Sequence, residues 1–85
     1  MQIELSVDAK EHLLLWQKNN NKVILNKIEK LTDAILENPY SGIGKPESLK
    51  HNLSGKWSRR ITSEHRYVYA IRNNVLYIYS LKGHY

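Results

Sequence analysis

Residues 56–81, KWSRRITSEHRYVYAIRNNVLYIYSL, contain three strand-forming runs that two short breaks separate. The runs, Lys56 to Thr62, His65 to Ile71 and Val75 to Leu81, are rich in tyrosine, valine and isoleucine, which favour extended backbone. The breaks are two and three residues long, which suits antiparallel hairpins. This stretch therefore predicts a small, twisted antiparallel sheet.

The residues before this stretch predict one more strand and two helices. Gln2 to Leu5 is typical of a short edge strand, and Ser6 or Asp8 offers the N-cap of a first helix. Apolar residues that recur at three- and four-residue steps indicate a second helix from about Lys22 to Glu37. The expected fold class is α+β, with two N-terminal helices packed on one face of a small antiparallel β-sheet.

Length and composition indicate one small cytoplasmic domain, residues 1–85. No apolar run approaches the ~20 residues that span a bilayer, and the N-terminus MQIELSVDAKEH lacks the basic start and apolar stretch of a signal peptide. The chain has no cysteine, which excludes disulfides and thiolate metal sites, and its four histidines show no metal-binding spacing. We therefore expect no membrane association and no bound metal.

The charge balance narrows the class of partner. Thirteen lysines and arginines stand against eight acidic residues, which gives a net charge of +5. An excess of this sign favours nucleic acid, an acidic protein or an anionic membrane as partner. A basic surface that only keeps the protein soluble explains the same charge equally well.

Candidate chemical groups lie in a long loop and near the chain end. Residues 39–55, PYSGIGKPESLKHNLSG, contain three glycines and two prolines, and loops of this length are usually functional. Glu47 lies in this loop beside lysines and could act as a base, although an exposed surface carboxylate fits the same pattern. His84 could carry a proton as an acid, or could be an ordinary polar residue near a chain end. Residue chemistry leaves both alternatives open.

The strands add cationic and aromatic candidates. Arg59 and Arg60 must point to opposite faces of the sheet because side chains alternate along a strand. Together with Arg66 they could bind phosphate, but arginines on exposed strands also keep sheets soluble. Four strand tyrosines are interpreted as sheet and core packing rather than as a platform for stacking bases: Tyr67, Tyr69, Tyr77 and Tyr79. These patterns predict a small basic α+β protein with RNA as one candidate partner, and composition and spacing lead no further.

A longer pattern carries a family resemblance. Residues 44–69, GKPESLKHNLSGKWSRRITSEHRYVY, the ending GHY and the pair Trp16-Gln17 closely resemble the Txe/YoeB family of bacterial toxins, within the RelE-like messenger-RNA endoribonucleases. The resemblance implies a RelE-like toxin fold and a nuclease that uses general acid-base catalysis without metal or cofactor. In that chemistry the ribose 2'-hydroxyl attacks the adjacent phosphate and leaves a 2',3'-cyclic phosphate and a 5'-hydroxyl.

The resemblance also implies roles for individual residues. Glu47 resembles the general base, Arg66 the cation that stabilises the phosphorane, and His84 the acid that protonates the leaving 5'-oxygen. Tyr85 looks like the family's terminal tyrosine, which helps to position the substrate. Two basic residues match positions expected around the phosphate: Lys50 and Arg60.

Partners are implied in the same way. Toxins of this family cut messenger RNA in the ribosomal A site of bacteria, so the basic surface would dock on ribosomal RNA. A YefM/Phd-type antitoxin is expected to neutralise the toxin, and a basic domain suits an acidic, partly disordered inhibitor. Two other functions stay open: a catalytically silent module that binds antitoxin or ribosome, and a general ribonuclease that cuts free RNA. The sequence leaves the oligomeric state open, including a homodimer.

Overall fold

The computed structural model describes residues 1–84, which form two α-helices, five strands and one 3-10 helix of three residues, His51–Leu53. The helices are α1, Val7–Lys18, and α2, Lys22–Glu37. The strands, in chain order, are β1 Gln2–Leu5, β2 Glu47–Ser48, β3 Trp57–Arg60, β4 Arg66–Arg72 and β5 Val75–Ser80. The predicted α+β class is confirmed, and no helix among these 84 residues has the length and apolar character needed to cross a membrane.

The five strands form one sheet in the order β1-β5-β4-β3-β2. Strands β3, β4 and β5 pair antiparallel, as the short connections predict. β2, which lies in the segment predicted as a long loop, pairs antiparallel with β3, whereas β1 pairs parallel with β5. The turn between β4 and β5 contains Asn73 and Asn74 with φ values of 51° and 61°, and asparagine tolerates this left-handed backbone well. The chain therefore returns at the end of β4 in a tight hairpin, which makes β5 the link between β4 and the N-terminal strand.

Side-chain caps begin both helices. Ser6, rather than Asp8, is the N-cap of α1, and its hydroxyl accepts a hydrogen bond from the Ala9 amide at 3.0 Å. The side chain of Asn21 caps α2 by accepting from the Ile24 amide at 3.2 Å. Because α2 runs over the predicted residues, its apolar stripe is buried as the periodicity indicates.

The two faces of the sheet have different surroundings. Alternation along β4 and β5 turns one set of residues toward the helices, where they form a buried cluster with residues of α1 and α2. The cluster contains these residues, among others: Trp16, Ile28, Leu31, Ile35, Tyr67, Tyr69, Leu76 and Ile78. The opposite face of the sheet, here called the open face, carries neither α1 nor α2.

A Gly44→Ala change is expected to destabilise the protein by about 1–3 kcal/mol, because the added methyl group overpacks the core. A Cβ at Gly44 would lie 2.7 Å from Leu31 Cδ2, and the residue has a φ of +83°. Gly55→Ala is the matched control, since Gly55 has a similar φ of +90° but nothing within 4 Å of its added Cβ. Thermal unfolding of both variants separates the steric effect from backbone strain, and equal losses of stability would contradict the packing explanation.

Candidate active site

The strand register brings three of the predicted site residues to the open face. Glu47 on β2 lies opposite Ser58 on β3, and Arg60 on β3 lies opposite Arg66 on β4. Residues opposite each other, and residues two apart on one strand, share a face of the sheet. From the ordinary spacings of strands and residues, the Cα atoms of Glu47 and Arg66 lie about 12 Å apart, within reach of two long side chains acting on one substrate.

A shallow depression of about 330 Å³ surrounds Glu47. Its lining also includes Lys50, which places the predicted base beside one of the two predicted phosphate-binding cations. Both side chains are exposed to solvent. The lining consists of Glu47, Ser48, Leu49, Lys50, His51 and Leu53, so the depression itself stops short of Arg66.

Arg66 is held at the start of β4 by the turn that precedes it. Its Nη1 donates to the carbonyls of Thr62, Ser63 and His65 at 2.9, 3.2 and 3.3 Å. Three acceptors on one nitrogen restrict the guanidinium group and leave its other edge for a ligand. The structure therefore fixes a cation at one end of the open face.

The segment after β5, residues 81–84, is here called the tail. It continues from the end of β5 and lies beside the start of β4. The Gly83 carbonyl accepts a hydrogen bond from the Arg66 amide at 3.0 Å, which places His84 next to the start of β4. His84 is exposed. The tail thus brings the predicted acid next to the start of β4, where Arg66 lies, two strands away from Glu47. Tyr85, the fourth predicted catalytic residue, lies outside the described residues.

Arg59 points to the helix-facing side, opposite to Arg60, as strand alternation predicts. Its side chain is fully buried and donates to the carbonyls of Asn38, Ser41 and Ile43 at 2.7, 2.9 and 3.1 Å. Its Nε also donates to the Tyr69 hydroxyl at 3.1 Å. The three carbonyl contacts tie β3 to the loop that leads into β2, and the fourth joins β3 to β4. Arg59 therefore positions the chain segment that carries Glu47.

Two buried tyrosines complete this inner network. Burial raises the pKa of Tyr67, and burial also raises the pKa of Tyr69 although the hydrogen bond from Arg59 opposes the change. Both phenols therefore stay protonated: the Tyr69 hydroxyl donates to the Pro39 carbonyl at 2.6 Å, and the Tyr67 hydroxyl shares a hydrogen bond with Thr32. The prediction of core packing is confirmed for these two tyrosines.

Tyr77 and Tyr79 are half-buried and lie outside the core cluster. The Arg72 guanidinium lies 4.7 Å from the Tyr77 ring centre, and the Lys56 ammonium lies 4.2 Å from the Tyr79 ring centre. Arg72 also donates to the Tyr79 hydroxyl at 2.7 Å. These rings pack against cations at the far end of the open face, so they are part of the sheet surface.

Sequence reasoning missed three positioning residues. The sequence did not show that Arg59 rather than Arg60 is the buried arginine, because strand alternation places the two side chains on opposite faces without indicating which face is buried. His12 and His65 bind backbone amides of the tail, and backbone contacts leave no pattern in the side-chain sequence. Among residues 1–84 no three or more histidine, aspartate and glutamate side chains gather as metal ligands.

The arrangement can act on an anionic chain laid across the open face. It offers a carboxylate at one side, cations in the middle and an imidazole near the other side, with basic residues around them. A carboxylate and an imidazole flanking a cation are the groups that acid-base cleavage of a phosphodiester needs.

Comparison with known proteins gives the family. The family model for the YoeB-like toxin of bacterial type II toxin-antitoxin systems matches residues 5–85. Toxin YoeB of Synechocystis is 54% identical over 74 residues, which cover 87% of this chain and 86% of that protein. The solved YoeB–YefM complex from Staphylococcus aureus matches with a TM-score of 0.91 and 45% identity, over 100% of this chain and 98% of that chain.

A second solved structure, the YoeB dimer from Staphylococcus aureus, has a TM-score of 0.91 and 44% identity, with 100% of this chain and 98% of that chain covered. Sequence, fold and the match over nearly all residues agree. The chain therefore belongs to the YoeB-like toxins of bacterial type II toxin-antitoxin systems.

Proposed function

We propose that this toxin is a ribosome-dependent messenger-RNA endoribonuclease that needs no metal or cofactor and inhibits translation by cutting messenger RNA in the ribosomal A site. The observation that carries the proposal is the shared open face, on which the strand register collects Glu47, Arg60 and Arg66 while the tail brings His84 next to the start of β4, where Arg66 lies. Membership of the toxin family supports it.

The proposed reaction uses each group once. The Glu47 carboxylate removes the proton of the ribose 2'-hydroxyl, and the freed oxygen forms a bond to the adjacent phosphorus. The P–O5' bond then breaks, and the His84 imidazolium gives its proton to the leaving 5'-oxygen. The products are a 2',3'-cyclic phosphate and a 5'-hydroxyl, and the base and the acid each contribute about 10²- to 10⁴-fold in such steps.

The cations act on the phosphate. Arg66, already oriented by the preceding turn, stabilises the charge that develops on the phosphoryl oxygens, and Arg60 lies directly across from it on β3. Lys50, beside Glu47, binds the phosphate of the substrate from the loop. Tyr85 follows His84 and is proposed to position the substrate.

The proposed protein partner is a YefM-type antitoxin, and the protein acts in the bacterial cytoplasm. The Staphylococcus aureus relative is solved in complex with YefM, and the net charge of +5 favours an acidic inhibitor segment. The dimer of the same relative supports a homodimer as the free form of this toxin. Sedimentation of the purified toxin, alone and with antitoxin, measures both assemblies.

End-group analysis of a translated messenger tests the function. The purified toxin is added to a translation extract, and the same messenger is incubated with toxin but without ribosomes. We expect ribosome-dependent fragments that carry 2',3'-cyclic phosphate and 5'-hydroxyl ends. Inhibited translation with an intact messenger would instead identify a silent binding module, and equal cutting of free RNA would identify a general ribonuclease; either result overturns the proposal.

An Arg66→Gln change is expected to lower the cleavage rate by about 10²- to 10³-fold, because it removes a preoriented donor from the phosphoryl oxygens. Arg72→Gln is the matched control, since Arg72 lies on the same strand and the same face but at its other end. Single-turnover cleavage on stalled ribosomes measures the rate, and thermal unfolding checks that both variants fold. Similar rates for the two variants would remove Arg66 from the mechanism.

A further inference from the structure

Two histidines hold the tail by accepting hydrogen bonds from its backbone amides. The Leu81 amide donates to His12 Nδ1 at 3.1 Å, and the Gly83 amide donates to His65 Nδ1 at 2.9 Å. The two histidines come from different elements, His12 from α1 and His65 from the residues just before β4. They therefore bind amides two residues apart from two separate elements.

The same tail residues use their carbonyls as well. The Leu81 carbonyl accepts from Trp16 Nε1 at 3.0 Å, and the Gly83 carbonyl accepts from the Arg66 amide at 3.0 Å. Trp16 also contacts the His65 ring edge-on, with ring centres 4.9 Å apart. Both polar groups of Leu81 and both of Gly83 thus have a partner, and an imidazole provides one of the two partners each time.

These contacts dictate the chemical form of both imidazoles. A nitrogen that accepts a hydrogen bond from an amide has a free lone pair, so the proton of each neutral ring must be on Nε2. An imidazolium ion carries hydrogens on both nitrogens and has no acceptor. Protonation of His12 or His65 would therefore place an imidazole N–H group against an amide N–H group of the tail, and the hydrogen bond between them would break.

We propose that neutral His12 and His65 are positioning residues that dock the tail against β4, and that protonation of either residue displaces residues 82–84 while the buried Leu81 side chain stays in the core. The consequence for catalysis rests on the proposed function, in which the docked tail presents His84 to the phosphate. The docking itself does not depend on that role. The histidines act through the backbone of the tail and touch no reacting atom.

Burial and nearby charges set how readily the His12 ring protonates. Burial lowers the pKa of His12, and Lys82 and His65 also lower it, while Asp8 and Glu11 on its own helix act in the opposite direction. Groups adjacent to His65 in the chain or in the tail are Glu64, Arg66, Lys82 and His84. Since the folded protein disfavours protonated His12, the unfolded chain binds the proton more readily, and this contribution to stability decreases as the pH falls through about 6.5.

The test is an NMR titration of the full-length, ¹⁵N-labelled toxin from pH 7.5 to 5.5. At pH 7.5 we expect both rings as the Nε2–H tautomer, with through-bond couplings from the Leu81 and Gly83 amides to the Nδ1 atoms. As each ring protonates, its coupling should disappear and the tail amide signals should shift, while core amides such as that of Leu76 stay in place. Detection of the Nδ1–H tautomer at pH 7.5, or tail amide signals that do not shift when the rings are protonated, would overturn the proposal.

Paired variants separate docking from folding. In His12→Asn/His65→Asn, each Oδ1 replaces an Nδ1 acceptor and does not titrate in this range, so the tail should stay docked at pH 5.5. In His12→Leu/His65→Leu, which lacks the acceptors, the tail should be released at every pH, and cleavage should fall on the order of 10²-fold through misplacement of His84. Docked tail signals in the leucine variant would refute the docking of the tail by His12 and His65. A released tail with unchanged cleavage would refute only the role of His84.

Discussion

Glu47→Gln is expected to slow messenger cleavage by about 10²- to 10⁴-fold, with little change in stability. The amide has the shape of the carboxylate but cannot take the proton of the 2'-hydroxyl. Glu47 is exposed on a two-residue strand, so its replacement removes no core contact. The cleavage rate on stalled ribosomes, measured with toxin in excess, gives the effect on chemistry without the effect on binding.

His84→Gln is the second half of this prediction and should cause a loss of similar size, because no proton reaches the leaving 5'-oxygen. Glu64→Gln is the control for both variants: it changes an exposed carboxylate in the turn before β4 that the proposed mechanism does not use. The products of any residual reaction should keep their cyclic-phosphate ends. If both variants cleave at the parental rate, the proposed acid and base are wrong.

Arg59→Met is expected to lower the free energy of unfolding by about 3 kcal/mol, which corresponds to a decrease in Tm of roughly 12–24 °C for a domain of this size. The change keeps the length of the side chain but removes four donated hydrogen bonds. Three loop carbonyls in a partly buried position then lose their partner. The loss arises from unsatisfied acceptors rather than from a cavity.

Arg60→Met controls for the loss of charge at the neighbouring position, since Arg60 is exposed on the other face of the same strand. We expect its Tm to stay within a few degrees of the parental value, as is usual for surface substitutions. Chemical denaturation of the two variants under the same conditions measures the difference. Equal stability of the two variants would mean that the buried guanidinium does not hold the loop.

The helices and the long strands were predictable because their signals are local. Lys22–Glu37 has the predicted bounds since its apolar residues repeat at helical spacing over four turns. β2 has only two residues and no repeat, and its pairing with β3 exists only in the folded sheet. The parallel pairing of β1 with β5 joins residues more than 70 positions apart, which no local pattern records.

The candidate site was also predictable only in part from the sequence. Glu47, Arg66 and His84 are proposed as site residues through a family resemblance, whereas composition and spacing alone left each of them with an ordinary surface interpretation. The structure adds the physical connection, because the register puts Glu47 and Arg66 on one face and a backbone hydrogen bond brings the tail to Arg66. Arg59 was out of reach of sequence reasoning, since a buried arginine without an acidic partner runs against the usual preference of this residue for the surface.

The sheet order also affects how the toxin matures during its own synthesis. β1 leaves the ribosome first, yet its one neighbour in the sheet is β5, the last strand to be made. The tail that carries His84 follows β5, so a nascent chain that has not yet released these residues has no complete sheet and has not brought His84 beside Arg66. Closure of the sheet and the arrival of His84 beside Arg66 are therefore a single late event in the folding of this chain.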